Sequence, residues 1–371
     1  MIDQRLAKSI RIFVLFVAFG GAFFVAIGTP AWADGSDVFV VRSLKVDVTA
    51  ASTDEARDKA LAAGERLAFR QLLERLTMRR DHGRLPEFNS AEITAFVLDF
   101  EVAEEKASAV RYLATLNYRF KADLVRRMLI DREIAFAETT SKPVLVLPVY
   151  QAAGTLLLWD DPNPWRLAWI QRAEKFSLVP VILPTGDLSD IATIGPEQAV
   201  DGDAQRLSAI AGRYGAGDTI VAHATMIMDR GRPDLEVYVT RYGTAQQEQT
   251  VVKSFTSGDQ ESLELLLARA AVELTSQVED NWKRDNLLQF GQEAVIAVKI
   301  RIGGLADWLD IRNRLDGVAV IRKSDLVILS LDEVRVNLHY IGDPGQLALA
   351  LEQADLVIHP EGDGWVLELG K

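Results

Sequence analysis

The sequence predicts an α+β protein of three small modules behind an export segment, and three observations carry that reading. A half-buried strand runs straight into a capped helix near residue 50. A polar stretch ending in Pro143 is followed at once by a continuous apolar run, Val144–Val149. The last part of the chain orders its elements as βαββαβ. The implied division is 1–33 as a signal peptide, 34–138 as an N-terminal α+β module and 143–285 as a middle module with a mixed sheet. Residues 287–371 form a C-terminal module of the ferredoxin-like type.

In the first module, Val38–Val48 alternates apolar and polar residues from Ser43 onward, as a strand with one solvated face does. Ser52 and Glu55 form the S-x-x-E signature that opens a helix. That helix is expected to run to about Thr77, with Ala56, Ala60, Ala63, Leu67 and Leu72 on one face. The small residues at its start predict close packing on a sheet. Asn89 and Glu92 mark a second, shorter helix. Strands follow around Phe100–Lys106 and Arg111–Phe120, and a closing helix is expected from Lys121 to about Ala137. The segment Glu138–Pro143 reads as a linker because it is polar and ends in Pro.

The middle module opens with Val144–Val149, uninterrupted in apolar character and so predicted to be buried on both faces. Helical patterns occupy Trp165–Lys175 and Asp203–Arg213, with a second buried run, Leu178–Leu183, between them. Strands are expected near Thr219–Met228, Asp234–Tyr242 and Gln249–Phe255. A long helix, Gln260–Trp282, closes the block with Leu263, Leu266, Leu267, Ala270, Leu274 and Val278 on one stripe.

The last module starts with a strand at Ala294–Ile302 and a helix at Asp307–Leu315 that stops at Gly317. Val318–Leu329 is a strand with a candidate turn at Lys323–Asp325, and Glu333–Tyr340 is the next. Pro344 sits in the first turn of a helix ending near Ala354. Leu356–Leu369 supplies the final strand, folded at Gly362-Asp-Gly364. The ferredoxin-like pattern hosts many unrelated activities, so it bounds architecture alone.

The first 33 residues predict where the protein works. Arg5, Lys8 and Arg11 precede an apolar run from Ile12 to Ile27, and Pro30 precedes Ala31-Trp32-Ala33. This is the layout of a secretory signal peptide cleaved after Ala33. The run is short for a bilayer span, which needs ~20 residues, so periplasmic export is expected. The alternative is an inner-membrane anchor by uncleaved residues 12–27, the only membrane contact the sequence implies. The chain carries 41 Lys and Arg against 53 Asp and Glu; without the first 33 residues, which hold three of those basic residues and one acid, the difference is −14. Such a charge repels phosphate backbones, and nucleic acid is not an expected partner. With no Cys there are no disulfides, thiolate nucleophiles or Cys-based metal sites.

No nucleophile elbow, phosphate-binding loop or zinc-protease motif occurs, and the sequence implies no catalytic residues, no metal and no cofactor. The four histidines, His82, His223, His339 and His359, are dispersed and read as structural. One segment stands out: Leu156–Trp169 packs three Trp, two Pro and three acidic or amide residues beside a buried strand. Pro162 and Pro164 stiffen its path. Asp161 or Asn163 is placed to cap the following helix. Trp159, Trp165 and Trp169 read either as an aromatic clamp for a ligand or partner, or as a self-packed plug at the sheet edge. Arg166 suits a carboxylate or an aromatic face. The loop Pro184–Asp190, with Asp187 and Asp190, follows the next buried strand and is expected to face the first loop.

The stretch Val41–Leu61, continued by Arg66–Leu76, resembles the start of a proteobacterial family of exported proteins, catalogued as domain of unknown function 2066. Leu158–Trp165 and Gly186–Asp190 fit the same resemblance, which would cover most of the exported chain. It implies an envelope location and brings no catalytic residues. More loosely, the first two modules are similar in architecture to periplasmic assembly proteins of the flagellar T-ring type and to the N-terminal domain of Tol-system proteins. The expectation is therefore a non-catalytic periplasmic protein that binds another envelope protein, its oligomeric state left open. The alternative is a small-molecule or glycan-binding protein, or a hydrolase, built on the Trp-rich loop.

Overall fold

The computed structural model describes residues 37–172, 176–229, 232–243, 249–288, 293–362 and 364–370; the expected export segment lies outside them. It is mixed α+β with three sheets, as the sequence predicts.

Strand β1 (Val40–Thr49) leads into helix α1 (Thr53–Leu76), whose N-cap Ser52 accepts from the Glu55 amide. Glu55 in turn accepts from the amide of Ala51, one residue further back than a standard box. Helix α2 (Ser90–Phe96) has the full reciprocal box between Asn89 and Glu92. Strands β2 (Val97–Ala107) and β3 (Arg111–Phe120) complete an antiparallel sheet of order β1-β3-β2. The face of α1 that lies on this sheet is Ala56, Ala60, Gly64, Ala68 and Leu72, while Ala63 is half-buried and Leu67 exposed. The expected face was one position off for those two residues. Strict i, i+4 spacing keeps the smallest side chains inward, and a Cβ on Gly64 would lie 2.8 Å from Leu116 Cδ1. Helix α3 (Ala122–Asp131) is shorter than expected. Glu133 turns the chain with a positive φ, and Phe136 then bridges to Thr77 in extended form.

The segment expected to be a linker is instead inside the protein. Glu138, Thr139 and Ser141 are buried. Glu138 tolerates burial because two arginines reach it, Arg126 from α3 and Arg322 from the third module.

The middle sheet begins with β4 (Val144–Ala152), buried on both faces as predicted. A tight turn returns the chain as β5 (Thr155–Leu157), antiparallel to the end of β4. Helix α4 (Pro164–Gln171) follows, then β6 (Val181–Ile182), which pairs in parallel with the start of β4. Two short helices not anticipated, α5 (Leu188–Thr193) and α6 (Pro196–Val200), precede α7 (Ala204–Arg213). Strands β7 (Asp218–Asp229), β8 (Arg232–Gly243) and β9 (Gln249–Phe255) extend the sheet, and α8 (Leu263–Asp285) covers it. The order is β5-β4-β7-β8-β9, with β6 beside β4 off this path; β4 is parallel to β6 and β7, and the other pairs are antiparallel. One face packs under α4 and α8; the other packs Leu145, Leu147 and Val221 with Leu207 and Ile210 of α7.

The third sheet contains β10 (Glu293–Arg301), β11 (Ile321–Leu329), β12 (Glu333–Ile341), β13 (Leu356–Glu361) and β14 (Gly364–Leu369). Helices α9 (Leu305–Asp316) and α10 (Pro344–Gln353) connect them. Lys323–Asp325 does not turn the chain; β11 continues through it with register shifts on either side. The order is β11-β12-β10-β14-β13. In the split βαβ pattern the last strand lies beside the first and antiparallel to it. Here β14, the return arm of a hairpin, takes that place parallel to β10 and displaces β13 to the edge.

The first and third modules share one continuous core, from Phe39, Leu72 and Phe136 to Val298, Val336 and Leu351. Polar ties join the middle module to the first. Lys283 of α8 donates to the carbonyls of Glu74 and Thr77 at the end of α1, and Arg79 forms a bidentate pair with Glu273. The described residues accordingly form one compact unit.

Candidate functional site

The loops singled out by the sequence do meet, though not at the carboxyl ends of the parallel strands. Because β5 pairs back along β4 (Leu157 opposite Tyr150) and β6 pairs with its start (Ile182 opposite Leu145), both loops lie along the edge of β4 that these two short strands share. Asn163 is buried and caps α4, accepting from the Arg166 amide at 3.0 Å while its amide donates to the Leu157 carbonyl. Pro164 at the first helical position costs no hydrogen bond. The start of α4 is therefore pinned to β5 by one side chain.

Trp165 and Trp169 are not a clamp. Both point under α4 onto the sheet and rank among the largest fully buried side chains of the molecule. Their rings meet edge to face at 5.6 Å, and Trp165 Nε1 donates to the Ala222 carbonyl of β7 at 2.9 Å. The Arg172 guanidinium lies 5.6 Å from the Trp169 ring centre. Two indoles are the size of group that fills the wedge between α4, α8 and the sheet. Trp159, half-buried, donates from Nε1 to the Ile194 carbonyl at 2.7 Å, and its ring edge lies against Gly186. Gly186 has a φ of +78°, a left-handed conformation that strains any other residue, and a Cβ there would push the Arg166 guanidinium aside.

The polar members of the second loop are equally engaged. Arg166 donates to the Thr185 carbonyl at 2.7 Å and so ties α4 to the residues before α5. Asp187 caps α5 through the amides of Ser189 and Asp190 and pairs with Arg213. Asp190 is fully buried. Its Oδ2 accepts from the Tyr214 hydroxyl at 2.7 Å and the Gly186 amide at 2.9 Å, and Arg213 Nε lies 3.0 Å from Oδ1. Burial alone would raise this carboxyl, but those hydrogen bonds and the Arg213 charge hold it below the ordinary range. Asp161 stays exposed at the surface. The structure thus brings Trp159, Arg166, Asp187 and Asp190 together, places Trp165 and Trp169 in the core, and leaves Asp161 outside the cluster.

Beside the exposed Asp160, Asp161 and Asp187, the loop pair presents four aliphatic side chains to water. Leu167 and Ile170 on the outer side of α4, and Leu188 and Ile191 on α5, are exposed, Leu188 at 85%. The sequence reading missed these four. Six of the eight residues of α4 from Pro164 to Gln171 are apolar or Pro, more than a helix with one buried face can hide, and that excess was the available signal.

A second concavity, about 800 Å³, opens at the amino ends of β4 and β7 against α10 and β13. Its cations are already matched: Arg241 Nε donates to Asp218 at 2.8 Å, and Lys142 Nζ lies 2.6 Å from Asp355. Lys142 also gives its amide to Gln353, so these contacts close the third module onto the second. Among the described residues, no group of three or more His, Asp or Glu is placed to hold a metal ion, and no helix is long and apolar enough to cross a membrane.

No protein-family model, curated protein or solved structure matches the chain.

Proposed function

We propose that this is a non-catalytic periplasmic protein that binds another envelope protein through the loop pair on the β5 and β6 edge of the middle sheet. The observation that carries the reading is the set Leu167, Ile170, Leu188 and Ile191. These aliphatic side chains are held in place by Arg166 and the two capped helix starts, yet left in water. Burying one aliphatic side chain contributes roughly 1.5–3 kcal/mol, so a partner covering several gains substantially. The carboxylates a hydrolase would need here, Asp187 and Asp190, are committed to capping and to Arg213 and Tyr214. The buried positions of Trp165 and Trp169 likewise remove the rings a glycan clamp would use. Export by residues 1–33, and the resemblance to the proteobacterial family named above, are parts of the same proposal.

The test is capture from a detergent extract of the envelope by wild-type chain and by an Ile170→Asp/Leu188→Asp variant. The expected result is a protein retained by the wild type and lost from a variant that melts at the wild-type temperature. Equal retention by both would remove the loop pair from the interface.

A further inference from the structure

The strand β11 is the outermost strand of the third sheet, paired on one side only, with β12. Sheet edges in monomeric proteins are defended by charges, Pro or cover, because their free backbone groups template further pairing. The second half of β11 has neither charge nor Pro. Leu326, Val327, Ile328 and Leu329 are each about half exposed, and Leu331, just beyond, is 93% exposed. We propose that this edge pairs with the same edge of a second copy of the chain, in antiparallel register about a two-fold axis normal to the sheet.

The argument for a second copy comes from which side each residue faces. Leu326 and Leu329 lie opposite the buried Val336 and Val334, on the core side. Lys323, Asp325 and Ile328 lie opposite His339, Asn337 and Arg335, on the outer side. The register shift between Leu326 and Ile328 makes Val327 the extra residue of a bulge, which places it on the outer side with Ile328. A two-fold axis normal to a sheet keeps every side chain on its own side, so residues that meet across it must already share a side. An unbulged strand cannot satisfy this about a point midway between two residues. The bulge lets β11 do so about the midpoint of Val327 and Ile328. Val327 then meets Ile328 of the second copy, Leu326 meets Leu329, and Asp325 meets Ser330, every pair on a common side. The same axis brings Lys323 towards Asp332 of the second copy, twice by symmetry. The apolar centre and the charged ends are thus both self-complementary. This proposal does not rest on the loop-pair reading, which concerns another sheet.

The experiment uses the absence of native Cys. Two exported full-length variants are made, Asp325→Cys and Ser330→Cys. In the proposed register a residue and its own copy are five positions apart, about 17 Å along the strands. A disulfide needs Cα atoms within roughly 4.4–6.8 Å. Mild oxidation of either variant alone should leave single chains, and oxidation of an equal mixture should give disulfide-linked dimers. Sedimentation of the Cys-free chain over a dilution series should show a mass rising from one chain towards two. A Val327→Lys/Ile328→Lys variant should raise the dissociation constant at least about tenfold, whereas Leu188→Asp leaves it unchanged. A chain that stays single throughout the series, cross-linking no better in the mixture than alone, or self-association unaffected by the two lysines would overturn the proposal. A single chain that instead captures a different protein through β11 would also overturn it.

Discussion

Glu138 and Arg126 form a bidentate ion pair with both nitrogen–oxygen distances at 2.8 Å, although the Glu138 side chain is wholly buried. A second cation, Arg322 of β11, lies 3.6 Å away. Burial pulls the Arg322 guanidinium below its ordinary pKa, and it would do the same to Arg126 were the Glu138 hydrogen bonds not there to raise it. Glu138, with Asp123 also on Arg126, therefore answers two cations from two modules at the point where the chain leaves the first module for the middle one. Removing one member of a buried pair leaves charge uncompensated, at a cost of about 3–5 kcal/mol. Glu138→Ala should show that loss in denaturant melts; a change within ~1 kcal/mol would mean that water reaches the node.

A related expectation concerns residues 287–371. Their core continues into that of the first module, and Leu288 donates its amide to the Phe136 carbonyl at 2.9 Å. Arg322, Asp355 and Gln353 would lose Glu138 and Lys142 on excision. The isolated fragment should melt well below the intact chain and bind a hydrophobic dye. Cooperative melting at the intact temperature would show that the shared core is dispensable.

The tryptophans can be sorted by stability. Trp165→Ala and Trp169→Ala should each cost about 3–5 kcal/mol, as large truncations in cores do. Trp159→Ala, losing a half-buried ring and one hydrogen bond, should cost roughly 1–2 kcal/mol. Equal small losses for all three would return the rings to the surface.

On the outer face of the third sheet, Glu361 accepts from Lys299 and Arg301, and those hydrogen bonds hold its carboxyl at about 2 against an ordinary 4.5. Its folded value lies below its unfolded value, so the pair favours the folded state above pH 4.5 and that contribution fades as the pH falls towards 2. A carboxyl titration by NMR should place the Glu361 midpoint near 2 and move it upward in Lys299→Gln. A wild-type midpoint at the ordinary value would show that the network is solvated.

Most of the fold was legible because it rests on local signals: the Ser52 and Asn89 caps, the apolar run at 144–149, and the stripe of α8. The helices α5 and α6 escaped because at six and five residues they carry no periodicity, only the caps Asp187 and Gly195. The third sheet differed in one strand because hairpin order is a matter of pairing, which β13 and β14 do not encode locally. Within the site, the two loops were expected to meet after neighbouring parallel strands; they meet instead because β5 and β6 both pair with β4, a pairing the sequence does not encode locally. The direction of the rings was not legible either. A Trp that fills a core and a Trp that holds a ligand look alike until the helix above them, here α4, fixes its outward side.

The most direct measurement places a photo-activatable side chain at position 188 of the full chain in living cells, with position 58, exposed on α1, as the control. The expected result is a discrete adduct from position 188, absent at position 58 and lost when Ile170→Asp is added. Adducts of equal strength at both positions, or none at 188, would contradict a docking role for the loop pair.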